Sequence, residues 1–384
     1  MKRALVLGMA RSGQSAAALL ERRGVEVVRA DRTLGNDGDT GLLDDVDVLV
    51  KSPGVPGGQL LVRVARARGI PVWSEVELAY RLLGPELVGV TGTNGKTTTT
   101  ELLGAILGVP TAGNVGRPLT AVDAELVVCE LSSFQLEDIE TLRCRVAVLL
   151  NLEPDHLDRH DTFEAYRDAK LRIFENQTES DTAVVPRGFQ PVPGLARRVE
   201  FHADDELPAE PRIPGAHNRE NAAAATAAAR ALGVPEAQIA EALATFPGVP
   251  HRLELVGEHG GVRYVNDSKA TNVAAARRAL AAYADDPVHL ILGGSPKGED
   301  YAPLVAAIGS NVRGIYLIGE TAAELGAAID GIQAGDLATA LHLASEAAVA
   351  GDVVLLSPAC ASFDQYDDFE QRGEDFRRLV AKLV

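Results

Sequence analysis

Short apolar runs alternate along this chain with segments in which apolar residues recur every three or four positions. Helices are predicted in the second kind of segment, for example at 15–23. Alternation of strands and helices favours sheets of mostly parallel strands. The sequence therefore predicts an α/β protein. Strands are predicted at 4–7, 25–30, 46–50, 70–73, 87–90, 126–129, 146–150 and 353–356.

Three successive segments repeat this alternation, at about 1–85, 86–247 and 248–384, and 384 residues suffice for three domains of ordinary size. We expect a Rossmann-like first domain, a central domain like that of a P-loop ATPase and a Rossmann-like third domain. The chain contains no run of 18 consecutive apolar residues, so no membrane span is expected.

The composition limits the class of partner. The formal net charge of -17 would repel a phosphate backbone, so nucleic acid is not an expected partner. An odd number of cysteines without metal-type spacing, Cys129, Cys144 and Cys360, fits a reducing cytoplasm. We therefore expect a cytoplasmic protein.

The clearest chemical signal is the segment 91–98, TGTNGKTT, between a predicted strand and a helical pattern that stops at Gly108. Backbone N–H groups and the helix dipole of such a loop would hold phosphates, Lys96 would reach the terminal phosphates, and Thr97 would bind magnesium. The strict pattern needs a glycine at Val90, and here the first glycine is Gly92. An ordinary glycine turn is the alternative.

Two loops of the first segment also suggest a nucleotide. Residues 8–13, GMARSG, open the first helix, and Asp31 ends the second strand, as in a dinucleotide-binding fingerprint. The middle glycine is replaced by Ala10, so the turn could serve NAD, another phosphate or no ligand. Ser52 and Gly54 follow the third strand, where α/β folds place ligands, although a simple turn is the alternative.

The second segment supplies acidic and basic groups. Glu130 ends a predicted strand, where it could hold magnesium, or it could cap a helix or be solvated. His156 lies between Asp155 and Asp158; it could bind a metal or transfer protons, although a surface histidine is the commoner outcome.

Lys170 shares the apolar face of a predicted helix with Phe163, Tyr166 and Ile173 or Phe174. An amine within an apolar stripe must be paired, neutral or chemically modified, because burial of an unpaired ammonium is costly. Extension of the side chain to the helix edge is the alternative.

Polar side chains also cluster at other expected sheet edges. His217, Asn218 and Asn221 begin an alanine-rich helix, where capping explains one of them. In the third segment, polar loops at 266–272, 293–298 and 357–366 would suit a small anionic substrate, with solvated loops as the alternative.

Taken together, these motifs resemble the Mur ligases, the ATP-dependent amide ligases that build the peptide stem of the bacterial cell-wall precursor. The resemblance covers all three segments, but few residues between 179 and 211 contribute to it. The third segment resembles the family members that add D-glutamate. The residues that carry it are 92–97, Glu130, Asp155, His156, Lys170, His217, Asn218, Asn221, 266–272, Lys297, 357–366 and 369–373.

The resemblance implies a role for each group of residues. The catalytic residues would be Lys96, Glu130, His156 and Lys170. ATP would contact Gly92, Thr93, Asn94, Gly95, Lys96, Thr97, Thr98, Asn221, Arg252 and Asp267. The uridine-nucleotide substrate would contact Arg11, Ser12, Asp31, Arg32, Ser52, Gly54, Asn114 and Ser132. D-Glutamate would contact Lys297, Thr271, Ser362, Phe363 and Phe369. The metal ligands would be Thr97, Glu130, His156 and a carbamylated Lys170.

The implied reaction uses ATP and Mg²⁺ to phosphorylate the L-alanine carboxylate of UDP-N-acetylmuramoyl-L-alanine. The D-glutamate amine then attacks the acyl phosphate, releasing phosphate. The expected partners are these small molecules, and we expect a monomer. Alternatives are a related ligase adding another amino acid, a Rossmann oxidoreductase, and a nucleotide-regulated binding protein.

Overall fold

The computed structural model describes residues 1–213, 215–296 and 298–383, apart from the side chains at 157 and 158. Lys297, one of the predicted D-glutamate contacts, lies outside the described residues. The chain forms two compact units, Met1–Pro211 with His217–Phe246, and Arg212–Ala216 with Pro247–Val384. The first unit contains two sheets and the second contains one. The α/β class with mostly parallel sheets is confirmed, whereas the three-domain boundaries stay a prediction.

The first sheet is built by the strands Arg3–Leu7 (β1), Glu26–Ala30 (β2), Val48–Lys51 (β3) and Val72–Ser74 (β4). They are parallel, in the order β2-β1-β3-β4. The helices are Arg11–Arg22 (α1), Leu60–Ala67 (α2) and Glu75–Leu83 (α3), with 3-10 turns at Arg32–Leu34 and Thr40–Leu43. β1 and β3 are fully buried apart from Arg3 because both neighbours of each strand are other strands.

The second sheet contains six parallel strands. Its central strand leads into residues 92–95, the predicted phosphate-binding loop, here called the phosphate loop. The strands are Glu86–Thr91 (β5), Thr111–Gly113 (β6), Leu126–Glu130 (β7), Val146–Leu149 (β8), Thr182–Pro186 (β9) and Arg197–Phe201 (β10). Their order is β10-β9-β8-β5-β7-β6, so β7 and β8 flank β5. The helices are Lys96–Leu107 (α4), Ser133–Leu136 (α5), Leu157–His160 (α6), Phe163–Leu171 (α7), Ala216–Ala231 (α8) and Glu236–Thr245 (α9), with 3-10 turns at Leu119–Ala121 and Arg172–Phe174.

The third sheet lies in the second unit and has the order β11-β12-β16-β13-β14-β15. Its strands are Glu254–His259 (β11), Val262–Asn266 (β12), Val288–Gly293 (β13), Val312–Ile318 (β14), Ile332–Gly335 (β15) and Val353–Leu356 (β16). Only the edge pair β11 and β12 is antiparallel. The helices are Val273–Ala282 (α10), Ala302–Val305 (α11), Ala322–Ala328 (α12), Leu337–Ala347 (α13) and Phe369–Val380 (α14).

Parallel strands place their carboxyl ends at one edge of a sheet, so the loops after β5, β7 and β8 meet at the same edge. The predicted strands are confirmed with end shifts of one or two residues. Within the described ranges, every helix is too short or too polar to cross a bilayer.

Candidate functional site

The phosphate loop connects β5 to α4. Val90 still belongs to the strand, where it pairs with Glu130 on one side and Val148 on the other. The chain leaves the sheet only at Gly92, at φ 150°, and Gly95 at φ 82° precedes the helix. The glycine missing at position 90 is therefore explained, because the first turn that needs a glycine lies two residues later.

Side chains of neighbouring segments form hydrogen bonds with this loop. The Asn94 N–H donates to Asn151 Oδ1 at 2.8 Å, and the Asn94 amide donates to Glu153 Oε2 at 2.9 Å. Thr93 Oγ1 lies 3.0 Å from the Tyr166 hydroxyl. These contacts come from the segment after β8 and from α7, so the loop is preorganised.

Asn221 lies directly against the loop. A Cβ atom on Gly95 would come within 2.1 Å of Asn221 Oδ1. Asn221 is buried in α8, and its amide lies 3.4 Å from Asn218 Oδ1. Glycine at position 95 is therefore required both by the positive φ and by this close approach.

Lys96 and Lys170 meet at one carbonyl oxygen. The Lys96 amine donates to Gly92 O at 2.9 Å and to Thr93 O at 2.8 Å, and the Lys170 amine donates to Gly92 O at 2.7 Å. Lys170 is buried, as its place on the apolar face predicted, and its Nζ lies 4.7 Å from the centre of the Tyr166 ring. Burial, followed by the nearby Lys96 charge, lowers the pKa of Lys170 to about 7.

Glu130 ends β7 beside the loop and is buried. Its Oε1 accepts a hydrogen bond from Asn114 Nδ2 at 2.9 Å. Its Oε2 is buried and has no hydrogen-bond partner among the described residues. A carboxylate oxygen left unsatisfied beside a phosphate loop fits a divalent cation better than a purely structural role.

The side chain of His156 is more exposed to solvent than expected for a ligand in a complete metal site. Its side chain is 49% exposed, and Nε2 lies 3.6 Å from Asp155 Oδ2. Its backbone is left-handed, at φ 53°, where it precedes α6. Within the described part of the chain, no three His, Cys, Asp or Glu side chains gather closely enough to hold a metal.

His160 is a site residue that the sequence analysis missed. It is buried, with Nε2 2.9 Å from Ser133 Oγ and Nδ1 3.2 Å from Glu137 Oε1. Its ring stacks on Phe134 at 5.3 Å, and burial lowers its pKa. The spacing of four residues from His156 was the available signal, since it places both rings on one side of a helical turn.

Two side chains predicted to contact the nucleotide, Asp31 and Ser52, form hydrogen bonds with backbone groups of the loops around them. The Asp31 carboxylate accepts hydrogen bonds from Met9 N at 2.5 Å and Thr33 N at 2.8 Å, and the bond from Met9 contributes most to lowering its pKa. Ser52 Oγ donates to Gly8 O at 2.6 Å. Asp31 and Ser52 therefore shape the turn, while the exposed side chains of Arg11 and Arg32 remain open to solvent.

Other predicted nucleotide contacts lie around the same two sheets. Ser12 is half-buried and Gly54 is exposed. Asn114 follows β6, and its N–H donates to Glu130 O at 2.9 Å. Ser132 caps α5, and its side chain exchanges hydrogen bonds with Gln135 in a capping box, so its hydroxyl has a structural role. Thr97 is buried in the first turn of α4 and Thr98 is half-buried.

The predicted residues of the second unit cluster at the edge where β12 and β16 end. Asp267 is buried, and it accepts hydrogen bonds from Ser357 Oγ at 2.8 Å and Leu253 N at 3.3 Å. Burial raises the pKa of Asp267 to about 7. Arg252 is half-buried. This edge therefore combines a buried acid with a nearby basic side chain.

The predicted D-glutamate contacts differ widely in exposure. Ser362 is buried, Thr271 and Phe369 are half-buried, and Phe363 is 74% exposed. Lys269 Nζ lies 3.7 Å from the centre of the Phe369 ring, a cation–π contact. A basic and an aromatic side chain thus stand together beside Thr271.

Comparison with known proteins identifies the family. Residues 90–191 match the Mur ligase middle domain, and residues 251–360 match the domain described as Mur ligase, glutamate ligase domain. UDP-N-acetylmuramoylalanine--D-glutamate ligases from Acidobacterium capsulatum and Myxococcus xanthus are each 41% identical to this chain, over 99% and 100% of it and 96% and 98% of their own lengths. The chain belongs to the Mur ligase family.

This Mur ligase also has the fold of solved family members. The UDP-N-acetylmuramate-alanine ligase of Thermotoga maritima superposes with a TM-score of 0.63 over 100% of both chains, at 18% identity. The MurF ligase of Thermotoga maritima in complex with ADP gives 0.63 over 99% of this chain and 95% of its own, at 19% identity. At such identities the likeness shows the fold. The alignment with the Acidobacterium enzyme spans 443 positions against 384 residues here, so that relative contains segments that this chain lacks.

Proposed function

We propose that this Mur ligase joins D-glutamate to UDP-N-acetylmuramoyl-L-alanine, with conversion of ATP to ADP and phosphate. The observation that carries the proposal is the pair of amines, Lys96 and Lys170, on one carbonyl of the phosphate loop beside the unsatisfied carboxylate oxygen of Glu130. The full-length similarity to D-glutamate ligases supports the choice of amino acid.

A carboxylate is a poor electrophile, so it must be activated before an amine can attack it. A carboxylate oxygen of the L-alanine residue attacks the γ-phosphorus of ATP, the bond to ADP breaks, and an acyl phosphate forms. The D-glutamate nitrogen then attacks the carbonyl carbon, phosphate leaves with the bonding electrons, and the nitrogen loses a proton. Lys96 and the first backbone N–H groups of α4 would stabilise the charge on the transferred phosphoryl group.

We propose that Thr97, Glu130, His156 and Lys170 would hold Mg²⁺, which neutralises phosphate charge when bound. The buried Oε2 of Glu130 provides one oxygen without further rearrangement. Burial, followed by the charge of Lys96, lowers the pKa of Lys170 to about 7, which favours the neutral amine, the form that reacts with CO₂. The amine and CO₂ give a carbamate and a proton, which would convert Lys170 into an oxygen ligand.

We also propose a cellular compartment and an oligomeric state for the enzyme. ATP and a uridine-nucleotide sugar are cytoplasmic metabolites, so we expect the enzyme to act in the cytoplasm. All three cysteines are free and buried, as expected in a reducing compartment. We propose that the enzyme works as a monomer on small molecules.

The decisive experiment measures phosphate release and product mass with ATP, Mg²⁺, UDP-N-acetylmuramoyl-L-alanine and a panel of D- and L-amino acids. We expect turnover with D-glutamate that exceeds turnover with every other amino acid, and none with Lys96→Ala. Preference for another amino acid would instead identify a related ligase. Phosphate release that needs neither co-substrate would contradict the ligase proposal altogether.

A further inference from the structure

Arg372 is a buried arginine to which the proposed reaction assigns no role. It lies in the first turn of α14 and is 1% exposed, which makes it the largest fully buried side chain among the described residues. Its guanidinium donates from Nε to Ser268 Oγ at 2.9 Å and from Nη2 to Ser268 O at 2.9 Å. It also donates from Nη2 to Cys360 O at 3.1 Å and from Nη1 to Ala361 O at 3.2 Å. One side chain therefore joins the loop after β12 to the loop after β16.

All of these acceptors are neutral. In the described ranges, no carboxylate lies within ion-pair distance of Arg372. Burial lowers the pKa of Arg372 to about 10, which still leaves the guanidinium charged at neutral pH. Burial of a charge is costly, and the Asp364 and Asp267 carboxylates offset part of this cost from beyond ion-pair distance. The guanidinium therefore serves as a charged hydrogen-bond donor to neutral groups of two loops.

The two loops that Arg372 joins carry the proposed amino-acid contacts. Thr271 lies three residues after Ser268, and Ser362 directly follows Ala361. Ser268 Oγ also donates to Phe369 O at 2.8 Å, so the start of α14 is bound to the same point. A shift of Arg372 would therefore move three proposed substrate contacts together: Thr271, Ser362 and Phe369.

A third loop, the one after β13, approaches the same carbonyl. Ser295 N donates to Ala361 O at 2.9 Å. A Cβ atom on Gly294 would lie 2.1 Å from Ala361 O and 3.1 Å from Arg372 Nη1. Only glycine permits this approach, at φ 142°. Ala361 O thus receives hydrogen bonds from a loop on one side and from the arginine on the other.

We propose that Arg372 is a positioning residue for the amino-acid substrate. It fixes the spacing of the two loops through its hydrogen bonds to Ser268, Cys360 and Ala361. The inference rests on the proposed function. It assigns to Arg372 no direct contact with the substrate.

The test compares Arg372→Lys and Arg372→Gln with Arg378→Gln, an exposed arginine of the same helix that pairs with Asp375. For each protein the kcat and the KM for D-glutamate, ATP and UDP-N-acetylmuramoyl-L-alanine are measured. KM values do not depend on the fraction of folded enzyme.

We expect Arg372→Lys to raise the KM for D-glutamate about tenfold, because it keeps the charge and loses the planar hydrogen-bonding geometry. Arg372→Gln should raise it further, because the shorter amide can replace fewer of the four hydrogen bonds. The KM values for the two nucleotides should stay within about twofold, and Arg378→Gln should resemble wild type.

Three results would overturn the inference. One is a parallel rise of all three KM values, and another is a wild-type KM for D-glutamate in Arg372→Gln; either would leave only a structural role. The third is loss of folded protein in both Arg372 variants, which would show that the arginine maintains the fold. Wild-type enzyme that does not use D-glutamate would refute the proposed function, an outcome distinct from these.

Discussion

The amines of Lys96 and Lys170 donate to the same acceptor, the carbonyl oxygen of Gly92, at 2.9 and 2.7 Å. Burial, followed by the charge of Lys96, lowers the pKa of Lys170, because two ammonium groups that share one acceptor repel each other. The buried position of Lys170 beside Lys96 therefore favours the neutral form of the Lys170 amine.

A first prediction concerns the carbamate. Lys170→Ala should lower turnover by about two to three orders of magnitude, because an oxygen ligand next to the transferred phosphoryl group is lost. Short carboxylic acids such as formate or acetate should restore part of the activity by occupying the vacated space. The measurement is phosphate release against acid concentration, with the exposed Lys382→Ala as control. Full activity of Lys170→Ala without added acid would contradict the carbamate.

A second prediction concerns stability and pH. The pKa of Lys170 falls from 10.5 to about 7 on folding, so between these values the unfolded chain holds a proton that the folded protein has lost. The Lys170 contribution to the free energy of unfolding therefore rises with pH across this window and is least favourable below pH 7. Lys170→Met should be more stable than wild type at pH 6.5, and the difference should shrink towards pH 10.5.

Urea unfolding in CO₂-free buffer without ligands measures this difference. Gly92 O would keep the hydrogen bond from Lys96, so the variant leaves no buried carbonyl unsatisfied. Lys382→Met, at an exposed position, is the control and should show no such pH dependence. A difference that stays constant between pH 6.5 and 10 would show that the Lys170 amine is not the cause.

The sequence predicted which side chains are buried better than it predicted their hydrogen-bond partners. The apolar stripe placed Lys170 correctly, because helical spacing determines which residues share a face. The same pattern could not show that the partner is Gly92 O, 78 residues away, because the strand order decides this contact. Asp31 and Ser52 have the right positions, yet their hydrogen bonds close their own turn. His160 and Arg372 gain their significance only from buried partners distant in sequence.

A third prediction separates backbone strain from steric contact in the phosphate loop. Gly95 and Gly108 both have positive φ, of 82° and 67°, but an added Cβ meets Asn221 only at Gly95 and meets nothing within 4 Å at Gly108. Gly108→Ala should lower stability by about 1 kcal/mol and leave ATP binding unchanged. Gly95→Ala should weaken ATP binding at least about tenfold, because the loop must also shift away from Asn221. Calorimetric titration with ATP distinguishes the two variants, and equal affinities would contradict the assigned loop geometry.

A fourth prediction concerns the buried ion pair that joins the first sheet to the second. Lys51 Nζ lies 2.8 Å from Asp138 Oδ2, and the side chains are 0% and 2% exposed. Lys51 directly precedes Ser52, and Asp138 also binds Arg66 at 2.8 Å. Lys51→Met should destabilise the first unit by about 3–5 kcal/mol, because it leaves a buried carboxylate without its buried partner.

The double variant Lys51→Met/Asp138→Leu should recover much of this loss, since removing both charges removes the need to solvate either. The two changes are then strongly non-additive in urea unfolding. Arg68→Met, which breaks the exposed pair of Arg68 with Asp44, is the matched control and should change stability by less than about 1 kcal/mol. If Lys51→Met costs no more than this control, or if the double variant is as unstable as the sum of its single changes, the pair does not hold the two sheets together.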